Sequence, residues 1–444
     1  MKKTFLGDLL SGLSVSFAAL ALGAAFGVMS GRGAFAGMIA AGIIPIMTGL
    51  FGGTRLSVSG PTGPMTAVSA VVVAFAYDNF SGDKLLAEQF ITLVFLLTAV
   101  GLIIAGVVRL GKLIELVPKS VILGFMSGIA MVIWVDQFKI LFGIGDKEQP
   151  GGDPVINYIL AFGTFLLIIL LPKILGWLRV PKNIARFVPA TLTGIIIMTV
   201  ITVTMNFGVE NISLGASVGT FSEFKNLVVS YFPSSQIFTT EYLWMALPYA
   251  LQLVMLGYLD SLLTALIVDH LTKEKSKLNK ELIGQGIANG SAALLGGIPG
   301  AQATIRSVLL YKEGGRTRLA PIIAGLFTLM GFLVFKDLLI LVASSVFIGV
   351  LIKAALDVFE RDFLVAYFKN KWFKNRERNI QFGFIMYTML LTAFYDLNIA
   401  VISATALFYI CKAFFKIKDI EDDFADGQSH DIISEEGLSE YQAK

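Results

Sequence analysis

Long apolar stretches recur along almost the whole of this chain, and they limit the structures that it can adopt. Of its 444 residues, 55% are hydrophobic and only 15% are charged, whereas an ordinary soluble domain has about 25% charged residues. A soluble fold of this size exposes a large solvated shell and cannot bury so much apolar surface. Because a bilayer span needs about 20 mostly apolar residues, the sequence predicts an all-α polytopic membrane protein.

Fourteen apolar runs are interpreted as membrane spans. They lie at residues 9–30, 34–51, 61–80, 89–108, 113–135, 155–178, 187–206, 243–271, 279–295, 300–311, 318–335, 337–356, 379–396 and 397–415. Basic residues concentrate in alternate loops, at 109–119, 173–186, 273–280, 312–318 and 361–378, and the other loops are acidic or mixed. Because lysine and arginine favour the cytoplasmic side, we expect both termini in the cytoplasm and a multi-pass protein of the bacterial inner membrane.

The spans divide into two sets of seven. We predict a transmembrane domain over residues 1–418, with one repeat at about 9–206 and a second at about 243–415. An odd number of spans in each repeat turns the second repeat upside down relative to the first. Residues 419–444 contain nine acidic residues and one lysine. We expect them to form a mostly disordered cytoplasmic tail, and a partner-binding tail is the alternative.

The chain lacks the residues that most enzymes need. Cys411 is the only cysteine, and His270 and His430 are the only histidines, so the sequence offers neither a disulfide nor a cysteine or histidine metal centre. No nucleophile, base and orienting residue occur together, and no nucleotide-binding loop is present. We therefore expect no enzymatic activity, no resident cofactor and no nucleic-acid partner.

Two of the runs contain glycine, proline and hydroxyl residues where a membrane helix should already be continuous. The third run begins with the segment 57–66, SVSGPTGPMT, and the tenth begins with the segment 296–306, GGIPGAQATIR. Proline fits the first turn of a helix, and the preceding residues suit a short extended segment. Each run therefore predicts an extended lead-in followed by a half-helix that starts inside the membrane.

The two half-helix starts together indicate a substrate site. Irregular backbone at membrane depth is tolerated only where it is buried in protein or lines a cavity, and the free N–H groups of a helix start favour an anion. Paired discontinuous helices in the two halves of a chain are typical of a transporter site. The alternative is a pair of kinks that serve helix packing, but two corresponding breaks favour the site.

Asp260 is an acidic residue well inside the eighth run, where a carboxylate costs about 2.5–3.5 kcal/mol to insert and usually has a partner. Thr264 follows four residues later on the same helical face, and Thr304 lies beside the second break. Such hard oxygen ligands, with backbone carbonyls, suit an alkali cation. We interpret them as a cation or proton coupling site. The alternatives are an ion pair between Asp260 and Arg306, or a protonated aspartate that forms hydrogen bonds.

Arg306 lies early in the tenth half-helix, beside the predicted anion site. Its guanidinium carries a permanent positive charge, which suits the electrostatics of an anionic substrate. Its side chain is also long enough to extend toward the cytoplasmic surface. The sequence leaves both interpretations open.

Several motifs accompany these breaks. They are Gly7–Gly12, Phe51–Gly53, Gly60–Thr66, Pro118–Gly128, Leu259–Thr264, Asn279–Gly286, Gly296–Gly300 and Gly314–Thr317. In these motifs, which cover nearly the whole membrane region, the chain resembles the SulP family of inorganic anion transporters. Within that family it is most similar to the sodium-dependent bicarbonate transporters of cyanobacteria. The resemblance implies two inverted seven-span repeats and a core domain that moves against a gate domain.

The resemblance also implies roles for individual residues. Asp260, Thr264 and Thr304 match residues around a sodium site, and the backbone at Gln302 matches the point where the sodium and anion sites meet. The positions that match the anion site are Thr62, Gln302, Ala303, Ile305, Arg306 and Phe26.

The chain departs from the family pattern in three places. We expect no C-terminal STAS domain, because the acidic tail follows Lys418, and therefore no dimerisation or regulation through such a domain; a homodimer remains among the expected partners. The segment 19–26 has alanine where relatives commonly carry proline, and Gln302 replaces a smaller residue. The last two changes touch the pocket and therefore bear on the choice of substrate.

The leading hypothesis is a secondary active transporter that imports a small inorganic anion by alternating access. Bicarbonate is the favoured substrate, and sodium is the expected coupling ion. A proton-coupled or exchanging carrier of sulfate or a dicarboxylate is the alternative transporter. A nucleobase permease would need an acid at both pocket helices, and the tenth run has Arg306 instead. From another class, the alternative is a non-transporting membrane anchor or a voltage-responsive protein. Membrane lipid is the remaining expected partner.

Overall fold

The computed structural model describes residues 2–145, 147–177, 190–212, 232–395, 397–415 and 420. The acidic tail lies outside the described residues except for Ile420, and so does the beginning of the seventh predicted run. Helices dominate the described part, as expected for a chain whose backbone must satisfy its own hydrogen bonds in lipid.

The helices of the first half follow the apolar runs of the sequence. Their bounds are α1 Lys2–Met29, α2 Ala34–Phe51, α3 Gly63–Asn79, α4 Lys84–Val107, α5 Lys119–Phe142, α6 Pro154–Trp177 and α7 Ala190–Thr204. The largest shift concerns α5, which we predicted at 113–135. Residues Leu110–Leu116 form a 3-10 helix instead, and the carbonyl of Pro118 begins α5 by accepting N–H bonds from Val121 and Ile122.

The second half contains one helix more than the runs predicted. Its helices are α8 Thr240–Thr272, α9 Leu278–Leu294, α10 Thr304–Lys312, α11 Leu319–Leu339, α12 Ser344–Val358, α13 Arg361–Lys369, α14 Arg376–Phe394 and α15 Leu397–Phe415. The additional helix, α13, lies in a segment that we assigned to a loop. It forms because Phe363 and Tyr367, one turn apart, are buried together with Ile385.

Six helices within the described ranges are long and apolar enough to cross a membrane, namely α1, α2, α4, α5, α6 and the first 27 residues of α8. Shorter apolar helices lie at Ala190–Thr204, Leu319–Phe332 and Ile399–Phe414. The remaining runs are shorter or interrupted by polar residues, so the count of fourteen spans stays a prediction.

The chain divides into two compact units. The first comprises Met1–Ile114, Gln137–Leu171 and Pro181–Leu351, and the second comprises Glu115–Asp136, Pro172–Val180 and Ile352–Lys444. In the first unit, α9 packs against α4 and α2, and α11 packs against α1 and α2. In the second unit, the paired helices α14 and α15 pack against each other. Every residue of the site predicted above belongs to the first unit.

Glycine allows α1 and α2 to approach each other closely. A Cβ atom at Gly37 would lie 1.9 Å from the carbonyl oxygen of Gly23 and 2.5 Å from the backbone nitrogen of Gly27. Only residues without a side chain permit this backbone contact, which resembles the small-residue contacts of other membrane helices. The motif at 23–27 therefore sets the distance between these two helices.

Two short strands precede α3 and α10 and pair with each other. β1 Ser59–Gly60 runs antiparallel to β2 Ala301–Gln302, with Ser59 opposite Gln302 and Gly60 opposite Ala301. The pairing extends to Ala303, whose N–H donates to the carbonyl of Val58 over 3.1 Å. We call this arrangement the strand crossing. It joins segments that are more than 200 residues apart in the sequence.

The half-helices begin close to the predicted breaks. α3 starts at Gly63 with a proline in its first turn, as the sequence predicted. α10 starts at Thr304, four residues later than the start at 300 that we expected. The reason is that Pro299 lies in the extended lead-in, where its fixed φ angle fits as well as it does in a helical turn.

Asp8 connects the beginning of α1 to the loop before α11. Its carboxylate accepts N–H bonds from Arg316 over 2.6 Å and Thr317 over 3.1 Å, and the Thr317 hydroxyl donates to it over 2.5 Å. Asp8 is fully buried. These bonds explain why the motifs at 7–12 and 314–317 occur in one chain.

We predict that Gly300→Ala disrupts the strand crossing. The new Cβ atom would lie 2.2 Å from the carbonyl oxygen of Gly60, and such overpacking against backbone costs about 1–3 kcal/mol or more. Thermal unfolding of the purified protein in detergent should show a lower Tm.

Gly383→Ala is the matched control, because a Cβ atom at Gly383 in α14 meets nothing within 4 Å. Equal Tm values for the two variants would contradict the close contact at Gly300.

Candidate functional site

The starts of α3 and α10 both lie at the strand crossing. Thr62 and Ala303 occupy the positions before the first turns in extended conformations, and neither helix start receives a hydrogen bond from a side-chain cap. The N–H groups of these first turns are consequently available to a ligand. Each start also carries the positive end of a helix dipole, which favours an anion.

Asp260 and Thr62 connect α8 to the start of α3. The Thr62 hydroxyl donates a hydrogen bond to Oδ2 of Asp260 over 3.0 Å, and Asp260 is only 8% exposed. A residue that the sequence assigned to the anion site therefore contacts one that it assigned to the cation site. A change in the charge of Asp260 would therefore directly change the electrostatic potential at the start of α3.

Three further oxygen atoms of the predicted cation site lie together. The Thr264 hydroxyl is 2.7 Å from the Thr304 hydroxyl and donates to the backbone carbonyl of Gln302 over 3.3 Å. No cluster of three or more histidine, cysteine, aspartate or glutamate side chains able to hold a metal ion occurs in the described ranges. The oxygen chemistry of hydroxyls and carbonyls near a single carboxylate suits sodium better than a transition metal.

The guanidinium of Arg306 lies at the strand crossing. Its Nη2 donates to the carbonyl of Pro61 over 2.9 Å, its Nη1 has no hydrogen-bond partner, and the residue is 3% exposed. The extended, snorkelling conformation is therefore wrong. The proposed ion pair is also wrong, because Asp260 bonds to Thr62 instead. Among the described residues, the guanidinium contacts backbone and no carboxylate, so its Nη1 stays buried without a partner.

The structure locates the remaining predicted residues in different surroundings. Phe26 is buried on α1, and Ile305 is 55% exposed on α10, so only the backbone N–H of Ile305 belongs to the helix start. The Gln302 side chain is 1% exposed, and neither its amide nitrogen nor its amide oxygen has a hydrogen-bond partner. Because Gln302 is opposite Ser59 in the pairing of β1 with β2, their side chains lie on the same face of this two-stranded sheet.

Helix α9 holds both strands through a row of buried polar residues spaced by four, Glu281, Gln285 and Asn289. Glu281 accepts N–H bonds from Gly53 and Thr54, both over 2.7 Å. Each member of the row contacts a different part of the irregular segments, Glu281 and Asn289 through backbone groups and Gln285 through the Ser59 hydroxyl. We call this row the α9 ladder.

The second and third members of the α9 ladder, Gln285 and Asn289, contact β1 and the residue before β2. The Gln285 amide donates to Ser59 over 2.7 Å and to Glu281 over 2.9 Å. The Asn289 side chain accepts the N–H of Gly300 over 2.7 Å and donates to its carbonyl over 2.9 Å. An unsatisfied backbone group in this environment would cost about 1–3 kcal/mol.

The sequence analysis gave no role to the α9 ladder or to Ser261, whose hydroxyl accepts the N–H of Gln302 over 3.3 Å. A detectable signal was present for the ladder, because polar residues four apart in a membrane helix mark one polar face. Ser261 carried no such signal, since a single serine is common in membrane helices and reveals its partner only in the fold.

A family profile decides the classification of the chain. The sulfate permease family profile matches residues 5–375. The chain belongs to the sulfate permease family. The SulP resemblance of the motifs is thereby confirmed. The relatives of the chain are membrane transporters rather than enzymes, so the chain is a multi-pass anion transporter of this family.

Individual relatives agree with this assignment. The bicarbonate transporter BicA of Picosynechococcus sp. is 33% identical over 414 residues, which are 89% of this chain and 68% of that protein. The Bacillus subtilis protein named "Putative sulfate transporter YvdB" is 29% identical over 411 residues, 91% of this chain and 73% of that protein. The solved transmembrane domain of a cyanobacterial BicA matches with a TM-score of 0.75 and 30% identity, covering 90% of this chain and 98% of that one.

We predict that Asn289→Leu destabilises the protein and impairs transport. The substitution leaves the N–H and carbonyl of Gly300 buried without partners, at about 1–3 kcal/mol for each group. Tm in detergent and anion uptake into proteoliposomes should both fall.

Ser291→Ala provides the control on the same helix, because the Ser291 hydroxyl bonds only to the carbonyl of Ile287 in its own helix. If Asn289→Leu behaved like this control, the α9 ladder would not be what holds β2.

Proposed function

We propose that this member of the sulfate permease family imports bicarbonate together with sodium by alternating access. The observation that carries the proposal is the hydrogen bond between Thr62 and Asp260. It connects the start of α3, which suits an anion, to the carboxylate that suits a cation. The similarity to bicarbonate transporters supports bicarbonate as the first substrate to test.

The anion would be held mainly by backbone groups. The starts of α3 and α10 lie together at the strand crossing, and the partnerless Nη1 of Arg306 would add a positive charge there. Each helix start favours an anion by about 0.3–1 kcal/mol when exposed and up to about 2 kcal/mol when partly buried. Such modest binding suits a carrier, which must release its substrate.

Sodium would be held by oxygen atoms on α8, β2 and the first residue of α10. In this proposal, the Asp260 carboxylate supplies the charge, and the hydroxyls of Thr264 and Thr304 and the carbonyl of Gln302 complete the site. Sodium on Asp260 neutralises an acid that otherwise repels the incoming anion. Binding of either ion therefore favours binding of the other.

Alternating access requires a scaffold with two related halves. We propose that residues of about 9–206 and 243–415 are inverted repeats, and that a core domain moves against a gate domain. The antiparallel pairing of β1 with β2 supports the inversion, because it makes corresponding segments of the two halves run in opposite directions. A homodimer in the bacterial inner membrane, with both termini in the cytoplasm, completes the proposal.

A carrier of sulfate is the second candidate. The similarity to "Putative sulfate transporter YvdB" favours it, and the unpaired, buried Nη1 of Arg306 suits a divalent anion as well as a monovalent one. Uptake of labelled bicarbonate and of labelled sulfate into proteoliposomes, with and without a sodium gradient, separates the candidates. Sulfate uptake that needs a proton gradient or a counter-anion would replace the leading proposal.

We predict that Asp260→Asn abolishes the stimulation of bicarbonate uptake by sodium. The substitution removes the charge that binds the cation but keeps an oxygen atom that accepts the Thr62 hydroxyl, so the fold should persist. Uptake and Tm are measured on the same preparation.

Asp78→Asn is the control, because it removes an equal charge at an exposed position at the end of α3. Sodium stimulation that survives in Asp260→Asn would exclude Asp260 as a ligand of the coupling ion.

We also predict that sodium and the anion increase each other's affinity by the same factor. Coupling between two binding sites is reciprocal by thermodynamic necessity. Calorimetric titration of bicarbonate at several sodium concentrations, and of sodium at several bicarbonate concentrations, measures both factors.

Thr328→Val serves as a control variant, since the Thr328 hydroxyl is buried but bonds only within α11, and it should keep both factors. Thr264→Val should reduce both. Anion affinity that does not depend on sodium, with both ions bound, would contradict the coupled site.

A further inference from the structure

A cavity of about 220 Å³ lies beside the first turn of α9. Its wall is formed by the segment before β1, the end of α8, the connection from α8 to α9 and the residue before α11. We call it the α9 cavity. The distribution of basic residues assigns this end of the helices to the cytoplasm. The cavity is separate from the strand crossing and shares none of the site residues proposed above.

Positive charge predominates in the α9 cavity. Five basic residues line it, namely Arg55, Lys275, Lys277, Lys280 and Arg318, against two acidic ones. Both acidic side chains already have partners: Asp269 accepts two hydrogen bonds from Ser276, and Glu274 forms an ion pair with Arg55. Within the described ranges, no carboxylate pairs with the amino groups of the three lysines. The cavity therefore has an excess of cations.

The start of α9 adds a helix dipole to this charge. Lys277 occupies the position before the first turn, and its side chain makes no capping hydrogen bond. The first N–H groups of this 17-residue helix consequently have no side-chain acceptor. Glu281 is the acidic residue of this turn, but its carboxylate already accepts N–H bonds from Gly53, Thr54 and Gln285. These three donors satisfy its oxygen atoms, so Glu281 does not cap the first turn.

Thr54 provides an independent indication of a ligand. It lines the cavity and is 2% exposed, and its hydroxyl has no hydrogen-bond partner. A buried hydroxyl without a partner is costly and uncommon. The hydroxyl is shielded from solvent in the structure, and rotation of the side chain toward the cavity would let an oxygen-rich anion accept its hydrogen bond.

We propose that the α9 cavity binds a phosphate group, which belongs either to the free anion or to the headgroup of an anionic lipid. Three lysines, an uncapped helix start and a threonine hydroxyl match a tetrahedral oxyanion with several acceptor oxygens. A planar anion such as bicarbonate would use fewer of these donors. The ligand of this site therefore differs from the bicarbonate of the leading proposal.

The α9 cavity is connected to the strand crossing through the α9 ladder. Gly53 and Thr54 border the cavity, and their N–H groups bond to Glu281, the first member of the ladder. Gln285 and Asn289 continue it to Ser59 and Gly300. A phosphate group bound at Thr54 stabilises the backbone from which β1 continues, and so binding raises the stability of the whole arrangement.

The first experiment measures binding of inorganic phosphate to the full-length purified protein by calorimetry and by the shift in Tm. The double variant Lys277→Gln with Lys280→Gln should weaken binding by about tenfold or more, because charge-assisted hydrogen bonds are lost. Thr54→Val, which keeps the shape of the side chain, should weaken it by about fivefold.

The matched control is Lys369→Gln with Lys374→Gln, which removes the same charge at exposed positions outside the cavity. It should leave phosphate binding unchanged. Equal weakening in the control and in the cavity variants would assign binding to the general positive field and overturn the proposal. Phosphate binding that is unaffected by either cavity variant would place the anion elsewhere and overturn it as well.

The second experiment distinguishes the source of the phosphate group. The same variants are reconstituted in nanodiscs of phosphatidylglycerol and phosphatidylcholine, and retained lipid is measured by native mass spectrometry. Retention of phosphatidylglycerol that falls in the cavity variants but not in the control supports a lipid headgroup, even if free phosphate does not bind. The absence of both free phosphate binding and selective lipid retention in the wild type would overturn the proposal.

Discussion

Backbone groups that leave the helical conformation inside a bilayer must find partners, and the strand crossing depends on this constraint. Two residues in each strand can satisfy only part of the exposed backbone through each other. The rest is satisfied by side chains from neighbouring helices. Polar residues of α8 and α9 are therefore required by the breaks in α3 and α10, and removing a partner leaves a buried group unpaired.

The two supporting helices contribute different chemistry. The residues of α8 that bond to the crossing are hydroxyls and one carboxylate, which offer oxygen atoms to a cation and also hold Gln302. The residues of α9 are amides and a carboxylate whose atoms mostly bond to protein groups. The proposed ion site thus lies beside a helix whose polar side chains bond to the protein itself. Helix α9 supports the crossing, and α8 supplies the proposed ligands.

The sequence allowed both breaks of the strand crossing to be predicted. Glycine and proline at the breaks and an acid at membrane depth are local signals, and the structure pairs Thr62 with Asp260 and Thr264 with Thr304, while the roles of these residues as ligands stay predictions. The partner of Asp260 was not predictable, because Thr62 and Arg306 were both within its reach. The start of α10 was misplaced because proline fits an extended segment as well as a first turn.

Other parts of the fold needed the structure. Asp8, Glu281 and Gln285 bond to residues more than 200 positions away in the sequence, and nothing local to them identifies those partners. The helix α13 was assigned to a loop because its apolar stretch is too short to resemble a span. Long-range polar contacts were consequently the main source of missed residues.

The strand crossing also has a consequence for the order in which the protein is made. Val58 bonds to Ser307, and Gln285 bonds to Ser59, across separations of 249 and 226 residues. During synthesis, the first break enters the membrane long before the ribosome has produced the segment that satisfies it. Until then, backbone groups at the first break lack their final hydrogen-bond partners, and water or an insertase has to satisfy them. The strand crossing is therefore completed late in biogenesis, and the first half reaches its final structure only after the second half has been synthesised.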